Sequence, residues 1–373
     1  MNNLEENFDS ISPYADEEVS DVMKSLINDK KFHDSISAQI YPSIFKIIPG
    51  LSSFLFRKTF TKSFGNSKSI EQFQNNLAPF VEEMIKRTTD GFSYSGSENL
   101  SSLPTLYISN HRDIALDSLF LNFARFVEGQ KTVRIAIGDN LLDSGFFEKL
   151  MRLNKSFVVH RNIKGAKETL IKLGNLSRYI SHSLTTDQES IWIAQSEGRA
   201  TDGHDFTDPA VLKMLYLASR KTLEINEWVQ QVNLTPVSIS YEYDPLDIAK
   251  AIGREGWDEV SYEENNQRDL RELVKGIKEP KGRVHLHIGK SITEKINQIE
   301  DLAEVIDSEI ITNYKLWPSN YISANALGLS SETENFEGKK KSFLFRFKSL
   351  DETTRKKVFR MYSAPFQNQK KRG

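Results

Sequence analysis

The stretch Ser109-Asn110-His111-Arg112-Asp113-Ile114-Ala115-Leu116-Asp117 brings an imidazole, a guanidinium and two carboxylates together between two apolar runs. A histidine can act as general base toward a hydroxyl when a carboxylate fixes its tautomer and stabilises the cation that forms. Asp117 and Asp113 both lie close enough to His111 to be that partner, and Asp117 also has a plain electrostatic reading as an acid at a helix N-terminus. The letters His-Arg-Asp also spell a kinase catalytic loop. That loop needs Asn five residues after its Asp, a downstream Asp-Phe-Gly and an upstream glycine-rich loop; position 118 is Ser, and neither of the other signals occurs. P-loop and dinucleotide fingerprints are missing as well.

Two later apolar runs end in groups suited to binding an anion. "FVVHRN" places Arg161 after a β-like run, and "IWIAQSEGRATDG" places Glu197, Gly198 and Arg199 after the next. Either arginine alone reads more readily as a loop residue on the surface. Two guanidinium groups converging with a His-Asp pair at one sheet edge would make a phosphate pocket beside a general base.

The elements that must position these groups follow from periodicity. Residues 1–90 carry apolar positions at three- and four-residue spacing, the helical pattern. From residue 104 short β-rich runs appear ("PTLYIS", "VRIAIG", "KSFVVH", "SIWIAQ", "LTPVSISY", "RVHLHIG"), separated by amphipathic stretches such as "DSLFLNFARFVEG" and "GAKETLIKLGNLSRYISHSL". The alternation predicts an α/β fold, a mainly parallel sheet flanked by helices, with helical N-terminal and C-terminal extensions. In such sheets functional groups gather at the carboxyl ends of strands. The expected organisation is a helical region over 1–90, the α/β domain over 91–290, a helical segment over 291–337 and a basic tail over 338–373.

With 373 residues, 38% of them hydrophobic, the chain can bury a large core. The lack of cysteine excludes disulfides, thiolate catalysis and cysteine-bound metals and suits a reducing cytosol. Residues 1–30 are acidic with no apolar run, so no secretory leader is expected, and no window offers the roughly 18 apolar residues of a membrane span. The net charge of −2 conceals segregation: residues 338–373 hold 12 lysines and arginines against Asp351 and Glu352, a net +10. "TDGHDFTDP" gathers Asp202, His204, Asp205 and Asp208, which reads as a turn and a helix start at Asp208-Pro209 ahead of a metal site. His285 and His287 alternate on one side of a strand and read as structural. No metal and no bound cofactor are expected.

Taken in order, these strand ends resemble the glycerolipid acyltransferases, which acylate glycerol-3-phosphate or 1-acylglycerol-3-phosphate. Asn110-His111 and Asp117-Ser118-Leu119-Phe120-Leu121 are similar to the family's first block, Val158-Val159-His160-Arg161 to its second, Glu197-Gly198-Arg199 to its third and Thr235-Pro236-Val237 to its fourth. The resemblance covers roughly residues 104–240. Two departures stand out: five residues separate His111 from Asp117 where the family has four, and Arg199 follows Gly198 directly where the family inserts one residue. The surplus residue makes Asp113 a rival to Asp117, which is preferred because it opens the leucine-rich helix.

The resemblance implies direct acyl transfer from a thioester, acyl-CoA or acyl carrier protein, to the hydroxyl of a lysophospholipid or glycerol-3-phosphate, most suitably 1-acylglycerol-3-phosphate, within phospholipid biosynthesis. His111 would be the base and Asp117 its partner; Arg161 and Arg199 would hold the acceptor's phosphate, with Glu197 and Gly198 shaping that pocket. Lipid substrates without a membrane span imply a peripheral protein, expected in the cytoplasm on the inner face of the cell membrane. "IFKIIPGLSSFLFRKTFTKSF" and "KKKSFLFRFK" mix phenylalanines with lysines and arginines and suit an anionic membrane surface; the first reads equally well as a core helix with basic edges. Binding of nucleic acid by the basic tail is the lesser expectation. The altered spacing motivates an alternative, a catalytically inactive lipid-binding or scaffold protein that keeps the fold.

Overall fold

A computed structural model describes residues 8–139, 145–161, 163–253, 271–330 and 336–372. Its strands are β1 (Phe92–Ser95), β2 (Leu106–Ser109), β3 (Arg134–Gly138), β4 (Ser156–Val159), β5 (Ile191–Ala194), β6 (Thr235–Tyr241) and β7 (Val284–Ile288). The chain divides into two units. The larger comprises Met84–Val133, Gly165–Ser261 and Lys275–Gly373, the smaller Met1–Glu83, Arg134–Lys164 and Tyr262–Val274.

In the larger unit the strand order is β1-β7-β6-β2-β5. β2 is parallel to β5 and β6 on its two sides, and β1 is parallel to β7, while β7 runs antiparallel to β6. The sheet is therefore mainly parallel with one reversed pairing. All four residues of β2 and all seven of β6 are buried, which is why their sequences read as apolar or small side chains without alternation. β7 does alternate: Val284, Leu286 and Ile288 are buried and His285 and His287 half-buried. β1, missing from the strands expected from sequence, is a four-residue run in which two of the residues are serine.

The helix after β2, Leu116–Val127, buries Leu116, Phe120, Leu121 and Ala124, one stripe at helical spacing. Burying each large apolar side chain in that stripe contributes about 1.5–3 kcal/mol. Further helices of this unit are Ala166–Thr185, Pro209–Tyr216 and Ile299–Asn313. Asp208 caps the second of these by accepting from the Ala210 N–H at 2.8 Å, with Pro209 at the first helical position.

The basic C-terminal segment is folded. Helices Glu337–Phe345 and Glu352–Arg372 bring Phe343, Phe347, Val358, Phe359, Met361 and Tyr362 into a buried cluster with Ala251 and Ile322. Several of its cations face local acids: Lys339 pairs with Glu242 and Arg346 with Asp247, both at 2.8 Å. Of the phenylalanines in "KKKSFLFRFK", Phe343 and Phe347 are buried, and Phe345 points outward.

In the smaller unit, helices Asp16–Asn28, Lys30–Ile40, Pro42–Ile47 and Pro49–Phe64 pack together, the second and fourth through aromatic contacts. Phe32 lies 5.3 Å from Phe56 and 5.0 Å from Phe60, ring centre to ring centre, and Phe60 lies 5.1 Å from Phe64. The basic-aromatic stretch noted in the sequence is thus divided. Phe56, Phe60 and Phe64 are core residues, while Ile47 and Phe54 are 80% and 60% exposed. β3 and β4 form a parallel pair in the same unit.

Candidate active site

β2 ends at Ser109, and the next residue extends the sheet with its side chain. Asn110 accepts from the Ile239 N–H at 2.8 Å and donates to the Ile239 carbonyl at 2.9 Å, copying the hydrogen-bond pattern of a strand residue toward β6. This fixes where the chain leaves the sheet and delivers His111 to the carboxyl end of β2.

The His111 Nδ1 lies 3.0 Å from Asp117 Oδ2. Asp117 is buried and saturated: Oδ2 also accepts from the backbone N–H groups of Arg112 (2.7 Å) and Asp113 (2.9 Å), and Oδ1 accepts from the Tyr241 hydroxyl at 2.7 Å. Burial, with Asp117 and Asp113 nearby, raises the Tyr241 phenol well above its ordinary range, which keeps it a donor. The Trp192 ring stands edge-on to the imidazole with centres 6.0 Å apart, held by its indole N–H donating to Ser109 Oγ at 2.9 Å.

Asp113, the rival partner, does other work. Its Oδ1 accepts from the N–H groups of Ala115 (3.0 Å) and Leu116 (2.9 Å), an Asx turn that satisfies the donors opening the next helix. The surplus residue of the His-to-Asp spacing is absorbed in this turn. Burial, then the neighbouring Asp117 charge, raises the Asp113 carboxyl above its ordinary value.

Asp205 completes the loop from the other side. Its Oδ2 accepts from the His111 N–H at 2.9 Å and its Oδ1 from Gln195 Nε2 at 3.0 Å, and burial pushes its carboxyl up to about 6. The other members of "TDGHDFTDP" hold local structure: Asp202 accepts from the His204 N–H, His204 Nδ1 lies 3.2 Å from Asn368 Oδ1, and Asp208 caps its helix. No group of three or more His, Asp or Glu suited to a metal is found among the described residues.

Gly198 adopts φ +80°, a left-handed conformation that suits glycine, in the turn after β5. Two residues on, the Ala200 N–H donates to the His111 carbonyl at 3.0 Å, so this turn and the His111 loop are tied by backbone. Arg199 is half-buried and Glu197 exposed. Burial raises the Asp113 carboxyl and lowers the Lys250 ammonium; the Arg199 charge offsets a part of the first shift and adds to the second. Arg161 belongs to the smaller unit, where Asp139, just after β3, accepts from the Arg161 N–H (3.1 Å) and meets His160 Nδ1 (3.1 Å). His285 and His287 are held by Ser93 and Ser95 at 2.8–3.1 Å, and burial pushes the His285 imidazole down to about 4.

Sequence reasoning overlooked Tyr241, Asp205 as a partner of the His111 backbone, and the buried trio Arg112, Asp244 and Lys250. Asp205 carried a signal, the acidic cluster, but that cluster gave no hint of its target. Tyr241 carried none beyond its place in a strand beside β2.

Residues 91–221 match the family model described as Acyltransferase. The match takes in 131 of the 373 residues. A search of curated proteins gives no match. Among solved structures the chain is similar to the 1-acyl-sn-glycerophosphate (LPA) acyltransferase PlsC of Thermotoga maritima, at 13% identity and a TM-score of 0.36, over 76% of this chain and 95% of that one. The matched stretch begins just before β1 and ends past β5, and contains His111, Asp117, Arg161, Glu197, Gly198 and Arg199.

Proposed function

We propose that the protein transfers an acyl group from a thioester, acyl-CoA or acyl carrier protein, to the free hydroxyl of 1-acylglycerol-3-phosphate. The observation that carries the reading is the His111 Nδ1 contact with a buried, fully hydrogen-bonded Asp117 inside the stretch that matches the Acyltransferase family model. With Nδ1–H donated to Asp117, Nε2 is the ring nitrogen left to take the acceptor's proton. The alkoxide oxygen attacks the thioester carbonyl, a tetrahedral intermediate forms, and the C–S bond breaks. The proton held on Nε2 passes to the departing thiolate. The products are the new ester and the free thiol, with no acyl-enzyme.

Arg199 from the turn after β5 binds the acceptor's phosphate, and Gly198 and Glu197 shape the turn that presents it. The acceptor and donor reach the site from an anionic membrane surface on the cytoplasmic side. Support comes from exposed Ile47, Ile48, Leu51 and Phe54 beside exposed Lys46, Arg57 and Lys58. No helix among the described residues is long and apolar enough to cross a membrane.

The test is a panel of acyl-CoA and acyl carrier protein donors against 1-acylglycerol-3-phosphate and glycerol-3-phosphate, with wild type and His111→Ala. Transfer that the substitution abolishes supports the reading; no transfer with any pair sinks it and favours the inactive lipid-binding alternative.

A further inference from the structure

Behind the His111 loop lies a charged trio that the acyl-transfer chemistry does not use. Arg112, Asp244 and Lys250 are 2%, 4% and 8% exposed. Arg112 donates to Asp244 Oδ2 through Nε at 2.7 Å and through its terminal nitrogen at 2.5 Å. Lys250 Nζ contacts Asp244 Oδ1 and also donates to the Arg112 main-chain carbonyl at 2.6 Å. The Asp244 N–H in turn donates to the Tyr362 hydroxyl at 2.8 Å, which donates to Asp247 at 2.7 Å.

Two buried cations on one buried anion carry a desolvation cost that well-packed apolar side chains would avoid. Burial pushes the Asp244 carboxyl up, but Arg112 and then Lys250 outweigh it and hold it below its ordinary value. What the trio gains is a grip on backbone. The peptide joining Arg112 to Asp113 is held at both ends: its N–H donates to Asp117 and its carbonyl accepts from Lys250. The His111 N–H is taken by Asp205, the His111 carbonyl by Ala200, and the Arg112 N–H by Asp117. Every backbone polar group from the His111 N–H to the Asp113 N–H therefore has a partner, and Lys250 is the only one of those partners reaching in from beyond β6.

We propose that Lys250, set by Asp244 and Arg112, is a positioning residue for the His111–Asp117 pair: by holding the Arg112 carbonyl it keeps the next N–H on Asp117 and so fixes the carboxylate against the imidazole. Without it the Arg112–Asp113 peptide is free to rotate, and Asp117 loses one of the donors that aim it. The proposal rests on the acyl-transfer reading for its kinetic consequence, but its geometric consequence is independent of that reading.

The experiment uses the full-length protein and three variants, Lys250→Met, Lys250→Gln and Lys250→Arg. Kinetics are read against donor and acceptor, and the downfield proton resonance of the His111 Nδ1–H, identified by its loss in His111→Ala, is read by NMR. In folded Lys250→Met, kcat falls about 10- to 100-fold with KM for both substrates changed less than about twofold. The Nδ1–H resonance broadens or disappears, and Lys250→Arg restores both. Should Lys250→Met not fold, Lys250→Gln, which keeps a shorter neutral donor, takes its place with the same expectation. A folded Met or Gln variant that keeps both the resonance and kcat overturns the proposal and leaves Lys250 a support of the fold. If the wild type transfers nothing, the acyl-transfer reading fails, and the resonance alone still decides for or against the clamp.

Discussion

At the residue scale the site is organised by one carboxylate with four hydrogen bonds. Asp117 accepts from His111, from two backbone N–H groups and from Tyr241, so its charge is fully solvated by fixed donors. Asp117→Asn keeps the volume but turns one acceptor into a donor facing donors; kcat is expected to fall about 100-fold or more with the fold intact. Tyr241→Phe removes a single neutral donor, about 1 kcal/mol, and is expected to lower kcat roughly fivefold. Steady-state kinetics at saturating substrate, with circular dichroism to show folding, check both. A Tyr241→Phe loss as large as that of Asp117→Asn would mean the phenol has a more direct part in the reaction.

At the scale of elements, each strand end sets a loop, and close backbone approaches lock the loops in place. Gly203 follows β5 with φ +83°, and a Cβ there would meet the Met361 carbonyl oxygen at 2.0 Å, against the last helix. Gly203→Ala is expected to destabilise by about 3 kcal/mol or more, read as a lower urea midpoint; a midpoint within error of wild type would show that the helix shifts freely. Much of this arrangement was readable from the sequence. Strands β2 to β7 each lie within a β-rich run, and the order His111, Arg161, Arg199 after β2, β4 and β5 follows from the α/β alternation. The preference for Asp117 over Asp113 came from its place at a helix start, and Asp117 is the residue that meets the imidazole. Illegible were the groups that reach His111 from afar: Asp205 is 94 residues from its backbone partner, Tyr241 is 124 from Asp117 and Lys250 is 138 from Arg112. Periodicity reports which face of an element is apolar, and it carries no address for a polar partner on another element. β1 was missed for another reason: Phe92-Ser93-Tyr94-Ser95 does alternate, but four residues are too short a run to stand out as a strand.

At the scale of the whole molecule, charge segregation has two outcomes. The basic C-terminal segment pairs several of its cations with acids and places its aromatics other than Phe345 in the core, so removing residues 338–373 would dismantle Phe343, Phe347 and Tyr362 packing as well as a charge patch. The exposed apolar and basic face of residues 47–58 is the better place to test membrane binding. Phe54→Asp is expected to reduce binding to anionic vesicles several-fold, with the remainder more salt-sensitive, in a flotation assay; unchanged binding would remove this face from the contact. Acid stability is a second global property. The His285 imidazole, pushed by burial down to about 4 from an unfolded value near 6.5, leaves the native state binding fewer protons than the unfolded state between those pH values. Its contribution is fully present above about 6.5 and is lost as the pH falls toward 4, so His285→Asn is expected to flatten thermal stability against pH in that window. An unaltered slope would assign the acid sensitivity to other groups. The central claim concerns the reaction itself. The most direct measurement follows transfer of a labelled acyl chain from acyl-CoA or acyl carrier protein to 1-acylglycerol-3-phosphate by wild type and His111→Ala. The account predicts labelled diacyl product with wild type and a loss of about 1,000-fold or more with the variant; equal transfer by the two proteins would contradict it.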